Sequence, residues 1–223
     1  MNETNKAGAA GKITTAPQQI TLYGRNDLYL AHVSVCRNSG LTDDVIIVFA
    51  EKAIDTAGVD YEALEKKGKA LPFPNVEDIL DVGTDVIIIG KVQTMRNAAQ
   101  GIVDTYIYCD YIGIGYAEPQ NDVYFVGTVE REPKNRHTPK GRNITDLIIR
   151  VPSEFASSFY CKVPVVLWGK IADEAAALTV GESVEIYGRL QSRTYTKRYE
   201  DGDAEEKTAT EISASNFAIY RKK

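Results

Sequence analysis

Leu178-Thr179-Val180-Gly181-Glu182-Ser183-Val184-Glu185-Ile186-Tyr187-Gly188-Arg189-Leu190-Gln191-Ser192 decides the reading of this chain, because a close version of it stands about a hundred residues earlier. The earlier copy is Leu80-Asp81-Val82-Gly83-Thr84-Asp85-Val86-Ile87-Ile88-Ile89-Gly90-Lys91-Val92-Gln93-Thr94. Each copy opens on a glycine turn and continues as an alternating run of β-branched residues, the pattern of a turn followed by a strand. Working outward, Asn26–Val33 aligns with Asn121–Val129, and Asp44–Val48 with Asp146–Arg150. The closing segments Asp104–Ile112 and Thr208–Tyr220 align as well. Four matched segments in one order predict a tandem duplication, with a linker near Gly115–Gln120.

The second copy reads as five strands: Tyr124–Glu132, Asn143–Val151, Tyr160–Trp168, Ser183–Tyr195 and Lys207–Tyr220. Each is rich in Val, Ile, Tyr and Thr, and a short helix at Ile171–Leu178 separates the third from the fourth. That order predicts an all-β chain of two tandem OB-folds, five-stranded Greek-key barrels whose closure hides strand edges. The first copy gives no clear third strand. Its middle holds a helix-like stretch at Tyr61–Lys67 and then Pro72-Phe73-Pro74, which argues against a central strand there. The expectation is a flexible N-terminus over 1–19, a degenerate OB-fold over 20–115 and a complete one over 121–220.

Composition narrows the function. The chain has 223 residues, 43% of them hydrophobic, and a net charge of −5. The charge is uneven: residues 1–120 carry a net −6 and residues 121–223 a net +1, so a phosphate-binding face belongs to the second half. No run reaches the ~18 apolar residues of a membrane span. The N-terminus lacks the apolar core of a secretory signal, so a cytoplasmic location is expected. Cys36, Cys109 and Cys161 form no Cys-x-x-Cys pair and read as reduced thiols inside strands. Paired catalytic carboxylates, a phosphate-cradling glycine loop and metal-ligand spacing are all missing, so no enzyme, cofactor, metal or small-molecule substrate is expected.

Unpaired DNA offers a phosphate chain and exposed base faces. A general binder needs cations along a groove and aromatic plates, each stacked base being worth ~1–3 kcal/mol. The second copy supplies both. Its first hairpin carries Arg131, Lys134, Arg136, Lys140 and Arg142. Its last carries Arg189, Arg193, Lys197 and Arg198, interleaved with Tyr195 and Tyr199. Arg150, Tyr160 and Lys162 complete the set of candidate nucleic-acid contacts. Trp168 alternates with Pro164 and Val166 against Val163, Val165 and Leu167, so it lies either in the core or on the opposite, DNA-facing side.

The segments Gly127–Pro133, Arg136–Gly141, Val165–Ala172 and Val180–Tyr195 together resemble the bacterial single-stranded DNA-binding protein family, over about a hundred residues in order. The resemblance implies stacking aromatics at Phe155, Trp168 and Tyr195. A fourth family position, near the start of the third strand, is Lys162 here. It also implies a role in replication, recombination or repair, and four OB-folds per assembly, which two per chain would meet as a homodimer. Asn97 stands opposite Tyr195 in the first copy, so that copy is expected to have lost a plate. The chain ends Ile219-Tyr220-Arg221-Lys222-Lys223, where replicative members of the family carry an acidic tail. Recruitment through such a tail is therefore not expected. An alternative reading is a protein-binding adaptor of the primosomal type, with weak DNA affinity and the acidic first copy as its contact surface.

Overall fold

The computed structural model describes residues 4–69, 74–97, 101–138, 141–198 and 204–221, without the side chains of Lys197 and Arg198. Residues cluster into two bodies. One comprises Ala7–Lys91 and Ile107–Asn121; the other comprises Met1–Lys6, Val92–Tyr106 and Asp122–Lys223. No helix among the described residues is long and apolar enough to cross a membrane.

The second body is built on β8 (Gln120–Val129), β9 (Lys134–His137), β10 (Asn143–Pro152), β11 (Tyr160–Trp168), β12 (Ser183–Arg198) and β13 (Ala204–Ile219). Neighbours run β8-β12-β13-β11-β10-β9, and β8 also pairs with β10, which closes a five-stranded barrel with β9 as a flank. The parallel pairing of β11 with β13, Val165 opposite Ile212, is the join of the Greek key. Helix α3 (Lys170–Ala175) buries Ala172 and Ala175. Thr145, buried on β10, donates its hydroxyl to the Ala172 carbonyl at 2.7 Å, tying the helix to the barrel. The core is Phe125, Val129, Leu147, Ile149, Val163, Val165, Leu167, Val184, Ile186, Leu190 and Ile212.

The first body repeats this plan. Its strands are β1 (Asn5–Ile13, from Ala7 on), β2 (Gln18–Leu22), β3 (Arg25–Cys36), β4 (Thr42–Ala50), β5 (Ile54–Asp55), β6 (Asp85–Asn97, to Lys91) and β7 (Ile102–Ile114, from Ile107). The order β2-β3-β4-β7-β6-β1 closes through β1–β3, and β4 pairs with β7 in parallel, Ile47 opposite Ile107. Helices α1 (Tyr61–Lys66), capped by the Asp60 side chain, and α2 (Val76–Ile79) stand where α3 stands in the other body.

The registers fix the equivalence of the two barrels residue by residue. Ile13 opposite Val33 matches Val129 opposite Ile149, Val33 opposite Val45 matches Ile149 opposite Val163, and Ala7 opposite Gly90 matches Val123 opposite Gly188. The glycines agree. A Cβ on Gly11 would strike the Ser34 carbonyl, and one on its equivalent Gly127 the Arg150 carbonyl. A Cβ on Gly90 would strike the Tyr108 carbonyl, and one on Gly188 the Ser213 carbonyl. All four sit where neighbouring backbones approach closely.

Three expectations are corrected. The N-terminus is not a flexible segment over 1–19, since Asn5–Ile13 is the first strand of the first barrel. The first barrel is not degenerate in strand order, since Thr42–Ala50 is its third strand and lies before the prolines. The repeat alignment is one strand out of step at its start: Asn26–Val33 lies in β3, the counterpart of β10, and Asp44–Val48 lies in β4, the counterpart of β11. Only the Leu80–Thr94 match and the closing strand hold in place. The cause is β1 itself, Asn-Lys-Ala-Gly-Ala-Ala-Gly-Lys-Ile, which has one β-branched residue in nine and no strand signature of its own. Of the cysteines, Cys109 and Cys161 are buried as expected, but Cys36 is exposed.

Candidate nucleic-acid interface

Strand alternation sorts the second barrel into two faces. On β11, Cys161, Val163, Val165 and Leu167 point inward and are buried, which places Tyr160, Lys162, Pro164, Val166 and Trp168 on the other side, where Val166 alone is buried. Trp168 is therefore a surface tryptophan, 40% exposed, and Tyr160 is 54% exposed. The eight residue steps from one to the other span ~26 Å at the strand rise. Across the sheet, Trp168 lies opposite Ile144 and Ile144 opposite Arg136, so these three form one row. The next rows are Val166–Asp146–Lys134, then Pro164–Ile148, then Lys162–Arg150, then Tyr160–Pro152. On the far side of β13, Arg189, Gln191, Arg193 and Tyr195 of β12 stand opposite Ser213, Glu211, Ala209 and Lys207. One outward surface thus collects three aromatic rings and six cations from four strands, β9, β10, β11 and β12.

The cations are held by neighbours. Arg136 makes a two-pronged bond to Asp146, at 2.6 Å from Nε and 3.0 Å from Nη2. Lys162 Nζ lies 2.7 Å from Glu130, whose other oxygen is 3.7 Å from Arg150 Nε. Arg150 also covers the Tyr160 ring at 4.9 Å. Arg193 donates to Glu211 Oε1 at 2.8 Å and covers the Tyr195 ring at 5.3 Å, while Gln191 donates to the same oxygen at 3.0 Å. The Lys162 hydrogen bond, with the fields of Lys162, Arg150 and Arg131, holds the Glu130 carboxyl below the usual range.

Residues 120–220 match the model of the single-strand binding protein family. The second barrel is thus similar to the domain of that family. A single-stranded DNA-binding protein of Deinococcus radiodurans is 27% identical over 109 residues, which is 46% of this chain and 35% of that protein. The chain thus spans about a third of the length of that curated relative. Among solved structures, the wild-type single-stranded DNA binding protein from Thermus aquaticus superposes with a TM-score of 0.65 at 16% identity, covering 98% of this chain and 94% of that one. A deletion mutant of the Thermus protein gives the same score and covers 95% of its chain. These two likenesses show the fold.

In the second barrel, Lys134, Arg136, Arg150, Tyr160, Lys162, Trp168, Arg189, Arg193 and Tyr195 share the outward surface. Arg131 and Arg142 are exposed beside it, in the turns before β9 and β10. Phe155 is half-buried in the β10–β11 loop. Lys197 and Arg198 lie on β12, with side chains outside the described set; Lys140 and Tyr199 lie outside the described residues altogether. Four contributors were missed. Glu130, Asp146 and Glu211 escaped because only strand register brings them to the cations. Gln93, fully buried in this body, accepts from Cys161 Sγ at 3.2 Å and the Glu154 amide at 3.1 Å, and donates to the Pro152 carbonyl at 3.1 Å. It fixes the loop that carries Phe155 from 59 residues away.

The same positions in the first barrel carry different chemistry. Ala50 stands for Trp168, Thr42 for Tyr160, Asp44 for Lys162, Ser34 for Arg150, Ile20 for Arg136 and Gln18 for Lys134. Tyr108 stands for Ser213, and its hydroxyl accepts from Arg25 Nη1 at 3.0 Å.

Proposed function

We propose that the chain binds single-stranded DNA without sequence preference, across the outward surface of β9, β10, β11, β13 and β12, in replication, recombination or repair. Bases stack on Trp168, Tyr160, Tyr195 and Phe155, and phosphates meet the Lys and Arg rows between them. The observation that carries this reading is the sorting of aromatics and cations onto one face of the second barrel, set against their replacement at the equivalent positions of the first. DNA binding thus belongs to the second barrel, and the first barrel contributes structure and assembly.

A homodimer, with four barrels, fits the apolar surfaces that each body leaves uncovered. On the first body, Ile87 and Ile89 of β6 point outward, Ile89 at 55% exposure, beside the small residues Gly8 and Ala10 of β1. On the second, the rings of Tyr124 and Tyr187 pack together at 4.9 Å on the outer side of β8 and β12. A monomer mass in light scattering would overturn the dimer.

The test of DNA binding uses the chain's single tryptophan. Oligo-dT should quench Trp168 fluorescence to saturation, with an affinity that falls steeply as salt rises. Undetectable binding at low salt would instead favour an adaptor whose partner is a protein.

A further inference from the structure

We infer that Glu130, Asp146 and Glu211 occupy, in the free protein, the places that DNA phosphates take on binding, so that each carboxylate marks a phosphate subsite and competes for it. This rests on the DNA-binding reading above. All three stand on the outward surface that carries the aromatic rings, and each holds a cation of that surface. Carboxylate oxygens lie 2.6 Å from Arg136, 2.7 Å from Lys162 and 2.8 Å from Arg193. These are the distances that a phosphate oxygen would adopt on the same donors, and the Arg136–Asp146 pair also has the two-pronged geometry of an arginine on a phosphate. Two of the three sites also place a guanidinium over a tyrosine ring, Arg150 over Tyr160 and Arg193 over Tyr195, so a phosphate taken there would set its base beside a stacking plate. The Arg136–Asp146 and Lys162–Glu130 pairs are partly exposed and contribute little to stability, ~0–1 kcal/mol each, so displacing them is not prohibitive, while the nearly buried Glu211 gives up its cation less readily.

The consequence is a salt response. Binding to a single strand releases counterions in proportion to the phosphates neutralised, with a log–log slope of ~−0.7 per contact. A displaced carboxylate left on the face recruits a cation from solution and offsets part of that release. Removing its charge should therefore tighten binding and steepen the slope together.

The experiment titrates oligo-dT against the full chain, read by Trp168 fluorescence over a salt series, for wild type, Glu130→Gln, Glu211→Gln and Glu174→Gln. Glu174 is an exposed residue of α3 and controls for net charge alone. Glu130→Gln should bind several-fold tighter at low salt, with a slope steeper by about 0.7, and Glu211→Gln should move the same way. Binding that is unchanged or weaker at the wild-type slope, or an equal change in Glu174→Gln, overturns the inference. If wild type itself does not bind, the DNA-binding reading fails first and takes this one with it. Thermal melts confirm folding, and should Glu130→Gln fail to fold, Glu211→Gln and Asp146→Asn carry the test.

Discussion

The outer face of β3 and β4 in the first barrel and that of β10 and β11 in the second share one register and differ in almost every side chain. Trp168, Tyr160, Lys162 and Arg150 on one become Ala50, Thr42, Asp44 and Ser34 on the other. The four glycines that let the backbones close stay the same. A barrel's strand order is thus set by inward residues and close approaches, while its ligand is set by the alternate, outward residues, and the two sets vary independently.

That comparison breaks most readily by giving the second barrel the residues of the first. Trp168→Ala with Tyr160→Thr should cost about 2–6 kcal/mol of oligo-dT affinity, two stacked bases at ~1–3 kcal/mol each, with the melting temperature near wild type because both side chains are exposed. Fluorescence anisotropy with labelled DNA measures it, and retained affinity would move the binding surface elsewhere. Next in size, Gly188→Ala and Gly90→Ala should each destabilise by about 1–3 kcal/mol in urea melts, since both force a Cβ against a carbonyl of the neighbouring strand. A cost at Gly188 alone would show that the barrels do not share this closure. Tyr195→Asn, which installs the equivalent Asn97, should lose about 1–3 kcal/mol of binding. The reverse change, Asn97→Tyr, should gain nothing measurable, because Asn97 is held by its 2.9 Å bond to Asp104.

The smallest effect is with pH. The Glu130 carboxyl is held below its ordinary value in the folded chain, so its pairing with Lys162 is fully present above the normal carboxylate range and is lost only as pH falls through the depressed value. Between pH 7 and 5.5 the Lys162–Glu130 pair should persist, and oligo-dT affinity should change little. A large change in that window would point to a different titrating group on the face.

Much of this was legible in the sequence, and the gaps have physical causes. The strands of the second barrel, the α3 region and the Leu80–Thr94 repeat follow from β-branched alternation and glycine turns. β1 was invisible because its alanines and glycines answer to close packing, not to intrinsic preference. Missing it displaced the alignment by one strand and made a complete barrel look incomplete. On the candidate face the cations and rings could be named from residue type. Alternation left two faces for Trp168, and the buried set Val163, Val165 and Leu167 decides between them. The acidic partners could not be named, because Glu130 meets Lys162 and Glu211 meets Arg193 only through strand pairing.

The covalent joining of two barrels in one chain has a genetic consequence. Where an assembly is built from single-barrel subunits, any substitution appears on every barrel at once, and a change that strips the DNA-binding surface strips all of them. Here a codon for Ala50 can change without touching the one for Trp168. Half of the barrels are free to take up new work while the other half keep the old, and the inheritance of each is separate.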